Sequence, residues 1–224
     1  MPFGGLLEIA FLLAIIDWIV VLFDLRRLEY FIKPSVILVL LAWLIIVGND
    51  IPQLWWFSAA LVFSLAGDIF QLSSKKFLVP ALFSFLLAHF AYVFGFTPSF
   101  PPLSIATLAL FFLIGFTVIQ IYRIISASLK SQGKMSLVKP VLLYTLAIGL
   151  MVFSALTTMI RPEKEWDIFP AILASIGALL FFTSDTMLAW NKFVHPFRSS
   201  RILVMITYHL AQFAIIIAAV TNYT

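Results

Sequence analysis

The sequence contains no cysteine and few charged residues, and each shortage excludes a class of protein. Without cysteine, the 224-residue chain forms no disulfide, no thiolate nucleophile and no cysteine-ligated metal site. Only 11% of its residues are charged and 63% are hydrophobic, whereas a soluble domain carries about 25% charged residues. An ordinary soluble domain is therefore excluded. The net charge of +4 comes from basic residues whose positions, described below, are explained by the membrane topology. We therefore expect no nucleic-acid partner.

Apolar runs of about twenty residues recur along the whole chain, and a helix of that length crosses a hydrocarbon core about 30 Å thick. Such spans must be helical, because lipid offers no partner for a free backbone N–H or C=O. We predict an all-α, polytopic membrane bundle, a single integral membrane domain over residues 1–224. Its start lacks the basic segment of a signal peptide, so we expect the first helix to stay in the mature protein. The eight predicted helices lie at residues 4–23, 34–48, 54–72, 77–96, 103–125, 138–160, 168–190 and 201–221.

Lysine and arginine are concentrated in alternate connectors between the predicted helices. All fourteen basic residues except Arg161 and Lys164 fall in the first, third, fifth and seventh connectors. Cytoplasmic loops carry such an excess, so we predict that both termini lie outside the cytoplasm. The compact chain and this bias favour a bacterial cytoplasmic membrane.

A short internal similarity relates the two halves of the chain. Gly67-Asp68 near the end of the third helix and Ser184-Asp185 near the end of the seventh are each followed by a phenylalanine and a proline. Both helices would run in the same direction, which predicts a parallel four-helix duplication.

Three aspartates, Asp17, Asp68 and Asp185, interrupt apolar helices. A carboxylate at the centre of a membrane helix costs about 2.5–3.5 kcal/mol on insertion scales, so such residues usually have a function. All three helices run inward, and the aspartates precede the basic connectors by similar spacings. They are therefore expected at one depth and in one site. Asp17 lies close to its helix end, where a structural role is equally compatible with the sequence.

Other polar residues share helix faces as well: Ser64 and Gln71 lie on the face of Asp68, His89 shares a face with Tyr92, and Tyr208 shares one with Gln212. By default such residues form hydrogen bonds between helices, but together they predict a polar lining for the bundle interior. No metal site is expected, because His89 and His209 lack the pairing of a membrane metallohydrolase. The candidate lining residues are Ser64, Gln71, His89, Tyr92, Tyr208 and Gln212.

These motifs resemble the YhhN family of membrane proteins, whose characterised members are lysoplasmalogenases. Their order and spacing within an eight-helix chain carry the resemblance, although this chain has Pro80 and His209 where the family often has glycine and an aromatic residue. The matching segments are Lys33-Pro34, Gly67-Asp68, Ala88-His89-x-x-Tyr92, Ser184-Asp185-x-x-Leu188-Ala189 with Phe193, and Tyr208-x-x-Ala211-Gln212.

The resemblance implies hydrolysis of the vinyl-ether bond of a lysophospholipid, which releases a fatty aldehyde and a glycerophospho-base. That chemistry needs a protonated carboxyl to protonate carbon and a second carboxylate to stabilise the cation, as in glycosidases. We expect Asp68 and Asp185 to be this catalytic pair, with no cofactor. The residues expected to position water and substrate are His89, Tyr92, Tyr208, Gln212, Asp17, Ser64 and Ser184.

Two other readings remain open from the sequence. A proton-coupled transporter of lipids or small molecules would use the same buried acids as a relay, but it predicts helices broken near mid-membrane. Pro34, Pro80 and Pro140 are instead expected at helix starts, where a missing N–H costs little. The second reading is a hydrolase of another lysolipid.

Overall fold

The computed structural model describes residues 4–48, 50–73, 75–161 and 165–224, and these residues form helices and connectors with no strand. Eight helices are long and apolar enough to cross a membrane, which confirms the predicted number. They are α1 (Gly4–Leu22), α2 (Arg26–Gly48), α3 (Leu54–Leu72), α4 (Leu78–Phe96), α5 (Ile105–Ser131), α6 (Met135–Thr157), α7 (Ile168–Ala189) and α8 (Ser200–Tyr223). Short 3-10 turns precede α4 and follow α6, and a π-helical turn, Trp190–Val194, extends α7.

The start of α2 differs most from the sequence prediction. This helix begins at Arg26 rather than at residue 34, so the expectation that Pro34 opens it is wrong. Pro140 likewise lies inside α6, whereas Pro80 is in the first turn of α4. The sequence predicted a connector at residues 26–33 because this segment is charged, and a polar segment taken alone has no apolar face that a helix could bury. In the fold, Glu29 and Lys33 are buried against other helices, and those contacts keep the segment helical.

Two groups of contacts show that successive helices alternate in direction. At one end of the bundle, Arg201 of α8 pairs with Asp24 of the first connector, and Gln132 donates to the carbonyl of Phe193 at 2.7 Å. At the other end, Arg161 donates to the carbonyl of Ser99 at 2.8 Å. The first, fifth and seventh connectors therefore share one end, and Ser73 of the third connector lines the same cavity as Arg26 and Ser200. That this end faces the cytoplasm stays a prediction, as does the internal duplication; residues 162–164 of the sixth connector lie outside the described residues.

The helices bury very different fractions of their surface. Helix α8 is mostly buried, and α5 is mostly exposed, with phenylalanines such as Phe111, Phe112 and Phe116 pointing outward. Because lipid tails are as apolar as these side chains, an outward phenylalanine costs nothing in a bilayer. Helix α8 therefore forms the centre of the bundle and α5 its lipid-facing edge.

Helices α7 and α8 approach each other closely at Gly177. A Cβ on Gly177 would lie 3.0 Å from the backbone nitrogen of Ile215 and 3.1 Å from the carbonyl oxygen of Ala211. Small residues let membrane helices approach this closely and gain van der Waals contact. This contact sets the spacing of the two helices that contribute Asp185 and Tyr208 to the interior.

Candidate functional site

A buried ion pair lies at the centre of the first polar group, which we term the Lys33 cluster (Lys33, Asp68, Gln71 and Tyr208). Nζ of Lys33 is 2.9 Å from a carboxylate oxygen of Asp68, and these two side chains are 3% and 0% exposed. The Tyr208 hydroxyl donates to the other oxygen at 2.8 Å, and Lys33 donates to the side-chain oxygen of Gln71. Helices α2, α3 and α8 therefore join through a charge that is compensated within the protein.

Asp17 of α1 extends this charged region. It is fully buried, and neither of its carboxylate oxygens has a hydrogen-bond partner within the described residues. It lies within electrostatic range of Lys33, Glu29 and Asp68. The structure thus brings Asp17 and Asp68 to the same interior region, as the sequence predicted, with Lys33 as the nearby cation.

A second group, the Asp185 cluster (Asp185, His89 and Tyr144), joins α7, α4 and α6. The Tyr144 hydroxyl donates to Oδ2 of Asp185, and Nε2 of His89 lies 3.3 Å from the same oxygen. The His89 nitrogen is also 3.2 Å from the tyrosine hydroxyl. The Asp185 side chain is 11% exposed, so this carboxyl is reachable and the Asp68 carboxyl is not.

Phe181 packs against both clusters. Its ring lies edge-on to the rings of His89 and Tyr208, with centroid-to-centroid distances of 5.0 Å and 5.5 Å. Asp68 and Asp185 nevertheless have separate polar partners. Instead of one chamber holding three acids, the bundle holds two adjacent clusters. Within the described ranges, no three His, Asp or Glu side chains are grouped as metal ligands would be.

The other predicted site residues lie in different surroundings from one another. Tyr92 donates to the side-chain oxygen of Gln212, which links α4 to α8. The Ser184 hydroxyl donates to the carbonyl of Val204 at 2.9 Å, and this bond fastens α7 to α8. Ser64 is fully buried, and its hydroxyl has no hydrogen-bond partner in the described part of the chain. These residues lie in the interior, as predicted, but neither serine hydroxyl contacts an aspartate.

An apolar cavity of about 150 Å³ reaches the Asp185 cluster from the basic end of the bundle. Both Asp185 and Tyr144 line it, and so does Gln71 of the Lys33 cluster. The rest of its wall is largely hydrocarbon from α3 to α7, including Phe85, Ile121, Ile148 and Phe182. A single carboxyl in an apolar cavity of this kind suits a reaction on an acyl-chain-bearing substrate.

A second, polar cavity of about 530 Å³ lies beside the first and shares Gln71, Ser73 and Leu188 with it. Arg26, Glu29 and Arg201 line this polar cavity. Arg201 donates to Glu29 at 2.6 Å and also pairs with Asp24. Hydrogen bonds from Arg26 and Arg201 lower the pKa of the exposed Asp24 carboxyl below its ordinary value of 3.8. The rim of the bundle is therefore a network of opposite charges.

The sequence prediction missed two residues that contact the predicted aspartates. It took Lys33 as a connector residue because Pro34 follows it, although Lys33-Pro34 was among the family motifs. Tyr144 was overlooked, although a lone tyrosine in the apolar segment of α6 was a detectable signal. Both contacts join residues distant in sequence, so no local spacing could have revealed them.

Comparison with known proteins places this architecture in a family. The YhhN family matches residues 28–219, which include every residue of both clusters but not Asp17. The chain belongs to the YhhN family. A comparison with solved structures finds no match.

Curated relatives of this YhhN protein share about 30% of its residues. A Mus musculus protein named lysoplasmalogenase TMEM86B is 31% identical over 193 residues, which cover 85% of this chain and 74% of the relative. Lysoplasmalogenase TMEM86A of Homo sapiens is 30% identical over 72% of this chain and 64% of its own length. A Dictyostelium discoideum lysoplasmalogenase homolog is 30% identical, covering 77% and 65%. The chain thus spans about two thirds to three quarters of the length of these relatives.

Proposed function

We propose that this YhhN protein is a lysoplasmalogenase-like hydrolase, which cleaves the vinyl-ether bond of a lysophospholipid within the membrane. The observation that carries the proposal is the carboxyl of Asp185, which lines an apolar cavity and is bonded to Tyr144. The names of the curated relatives support the reaction class. The products would be a fatty aldehyde and a glycerophospho-base.

Acid hydrolysis of a vinyl ether begins with proton transfer to carbon. We assign the donor role to Asp185, because the Asp68 carboxyl is fully buried and already paired with Lys33. Tyr144 holds Oδ2 of Asp185, which leaves Oδ1 to carry the proton to the β-carbon of the vinyl ether. The resulting oxocarbenium ion is then adjacent to the Asp185 carboxylate, whose negative charge stabilises it.

Water completes the reaction at the α-carbon of the oxocarbenium ion. The Asp185 carboxylate accepts a proton of this water, and His89, fully buried beside it, holds the carboxylate in position. The hemiacetal that forms collapses: its hydroxyl proton leaves, the bond to the glycerol oxygen breaks, and that oxygen takes up a proton. Asp185 is reprotonated in this cycle, so no oxidant or reductant is consumed.

The Lys33 cluster has a positioning role in this proposal. Tyr208 donates to Asp68, Asp68 pairs with Lys33, and Lys33 donates to Gln71, which forms part of the wall of both cavities. An ion pair that is sealed from water can hold the cavity wall in place, but it is poorly suited to donate a proton to the substrate. Asp68 is therefore assigned to shaping the site rather than to protonating the substrate.

Continuous helices favour hydrolysis over the transporter reading. A transporter of this type predicts spans broken near mid-membrane, yet each of the eight described spans is continuous through its middle. Pro34 and Pro140 lie within intact helices. The described spans thus lack the mid-membrane breaks that the transporter reading predicts.

The test measures aldehyde release by purified protein from three lysolipids that differ only at the sn-1 linkage: vinyl ether, alkyl ether and ester. We expect aldehyde from the vinyl ether and no cleavage of the other two. Asp185→Asn should lower turnover at least about 100-fold, the scale of general acid catalysis. Asp167→Asn, the same change at the exposed opposite end of α7, is the matched control. Fatty acid released from the ester would support the other lysolipid reading, and a folded, fully active Asp185→Asn protein would remove Asp185 from the mechanism.

A further inference from the structure

We propose that the polar cavity beside the site binds the phospho-base head group of the substrate, with Arg201 as the phosphate ligand and Arg26 as a supporting cation. This inference rests on the proposed function, because it assigns the head group of the same lipid. It goes further in naming the residues that select a phosphorylated, zwitterionic lysolipid.

Two carboxylates of the protein hold the Arg201 side chain in place. Glu29, whose side chain is only 6% exposed, accepts from Nη2 of Arg201 at 2.6 Å, and Asp24 accepts from Nη1. A guanidinium group carries five N–H donors in a planar fork, so two carboxylate bonds leave donors for a phosphate. The Arg201 side chain is 34% exposed. It is therefore both oriented and reachable.

The charges of the cavity wall match a zwitterion better than a simple anion. Arg26 and Arg201 are cationic and Glu29 is anionic, and all three line the same cavity. An isolated phosphate would approach the arginines but meet the Glu29 carboxylate as well. A phosphoethanolamine or phosphocholine head group carries a phosphate for the arginines and an ammonium for the acidic side.

The adjoining cavities order a lysolipid along its length. Gln71, Ser73 and Leu188 line both cavities, and Leu188 follows Asp185 by about one helical turn of α7. A phosphate beside Arg201 and a chain in the apolar cavity would bring the intervening part of the lipid past Asp185. The vinyl-ether bond occupies that position, between the glycerol and the chain.

The experiment compares Arg201→Gln with wild-type protein on two vinyl-ether substrates, one with glycerophosphoethanolamine and one with unphosphorylated glycerol. We expect KM for the phospholipid to rise at least about tenfold, because a charge-assisted bond to phosphate is lost. For alkenylglycerol, kcat/KM should change less than about twofold. Arg201→Lys, which keeps the charge but not the fork, should give a smaller rise. Arg27→Gln, an exposed change at the same end of α2 and outside the cavity, should leave both substrates unaffected.

An equal loss on both substrates would show that Arg201 only tethers α8 to the first connector, and would overturn the proposal. Inhibition by inorganic phosphate as strong as by glycerophosphoethanolamine would also overturn it, since a free-anion site would then suffice. Binding of a labelled alkyl-ether lysophosphoethanolamine separates this proposal from the proposed function. If wild-type protein cleaves no vinyl ether, the proposed function fails. Weaker binding of that probe by Arg201→Gln, but not by Arg27→Gln, would still support the head-group site.

Discussion

The Lys33 and Asp185 clusters are built alike but are closed to different degrees. Each contains an aspartate on a helix that ends at the basic connectors and a tyrosine from another helix that donates to it. In the Lys33 cluster a lysine compensates the carboxylate and both are sealed from solvent. In the Asp185 cluster the neighbours are neutral or titratable groups, and the carboxyl lines a cavity.

This difference shows two ways in which a membrane protein can accommodate an aspartate in its interior. A carboxylate paired with a cation and a hydroxyl can be buried completely and then serves to hold helices together. The Asp185 carboxyl is held by a tyrosine and a histidine instead, and it lies at an apolar cavity, also lined by Lys192, that gives it a route to water or substrate. Two aspartates that are equivalent in the sequence thus acquire different roles.

The strongest way to break the comparison is to remove Lys33. Lys33→Met leaves the Asp68 and Asp17 carboxylates buried without their cation, which should lower the free energy of unfolding by about 3–5 kcal/mol. Thermal unfolding in lipid nanodiscs measures this loss. Asp185→Asn should unfold within a few degrees of wild type.

The Lys33→Met/Asp68→Leu double variant is the control for this prediction, because it removes both charges of the pair together. It should recover most of the lost stability. If Lys33→Met alone unfolds at the wild-type temperature, the sealed ion pair has no structural role.

The same change in each tyrosine sharpens the comparison. Tyr144→Phe removes the donor to Asp185 and should lower kcat by at least about tenfold while leaving the protein folded, because a hydrogen bond to a charged group contributes about 1.5–3 kcal/mol. Tyr208→Phe removes the donor to Asp68 and should appear mainly as a lower unfolding temperature. Each variant is the matched control for the other, and the reverse pattern would exchange the roles of the two clusters.

The absence of cysteine allows accessibility to be measured directly. Thr186→Cys places a thiol on the wall of the apolar cavity, and Ser64→Cys places one at a fully buried position. A small thiol reagent should modify the first at least about tenfold faster, because reaction requires access to the thiolate. An alkyl-ether lysolipid should protect Thr186→Cys. Equal rates would mean that the two regions are equally open.

The exposed rim should give the smallest effect. Because the pKa of Asp24 is lowered by Arg26 and Arg201, its contribution to stability is present above 3.8 and is lost as pH falls through the lower folded value. Unfolding temperatures of wild type and Asp24→Asn should therefore differ slightly at pH 6 and converge in strong acid. A difference that grows on acidification would contradict this sign. If the expected pH dependence is observed, the exposed ion pairs of Asp24 stabilise the fold in the same way as the sealed Lys33 pair, but by less free energy.

The sequence predicted the helices well because hydropathy depends on composition alone. Eight spans, their approximate bounds and the sorting of basic residues all followed from runs of apolar and charged side chains. The prediction failed at the start of α2, where Glu29 and Lys33 are helical only because Arg201 and Asp68 compensate their charges. Local pattern cannot contain a partner that lies more than thirty residues away.

By itself the sequence determined a membrane-spanning helical bundle and marked Asp17, Asp68 and Asp185 as residues out of place in lipid, because the energy of inserting each segment depends only on its own side chains. Tertiary structure alone decided which aspartate meets a lysine and which lines a cavity. That choice depends on how helices distant in sequence pack against one another, as Tyr144 and Lys33 show. The division of roles between Asp68 and Asp185 is therefore a property of the assembled bundle.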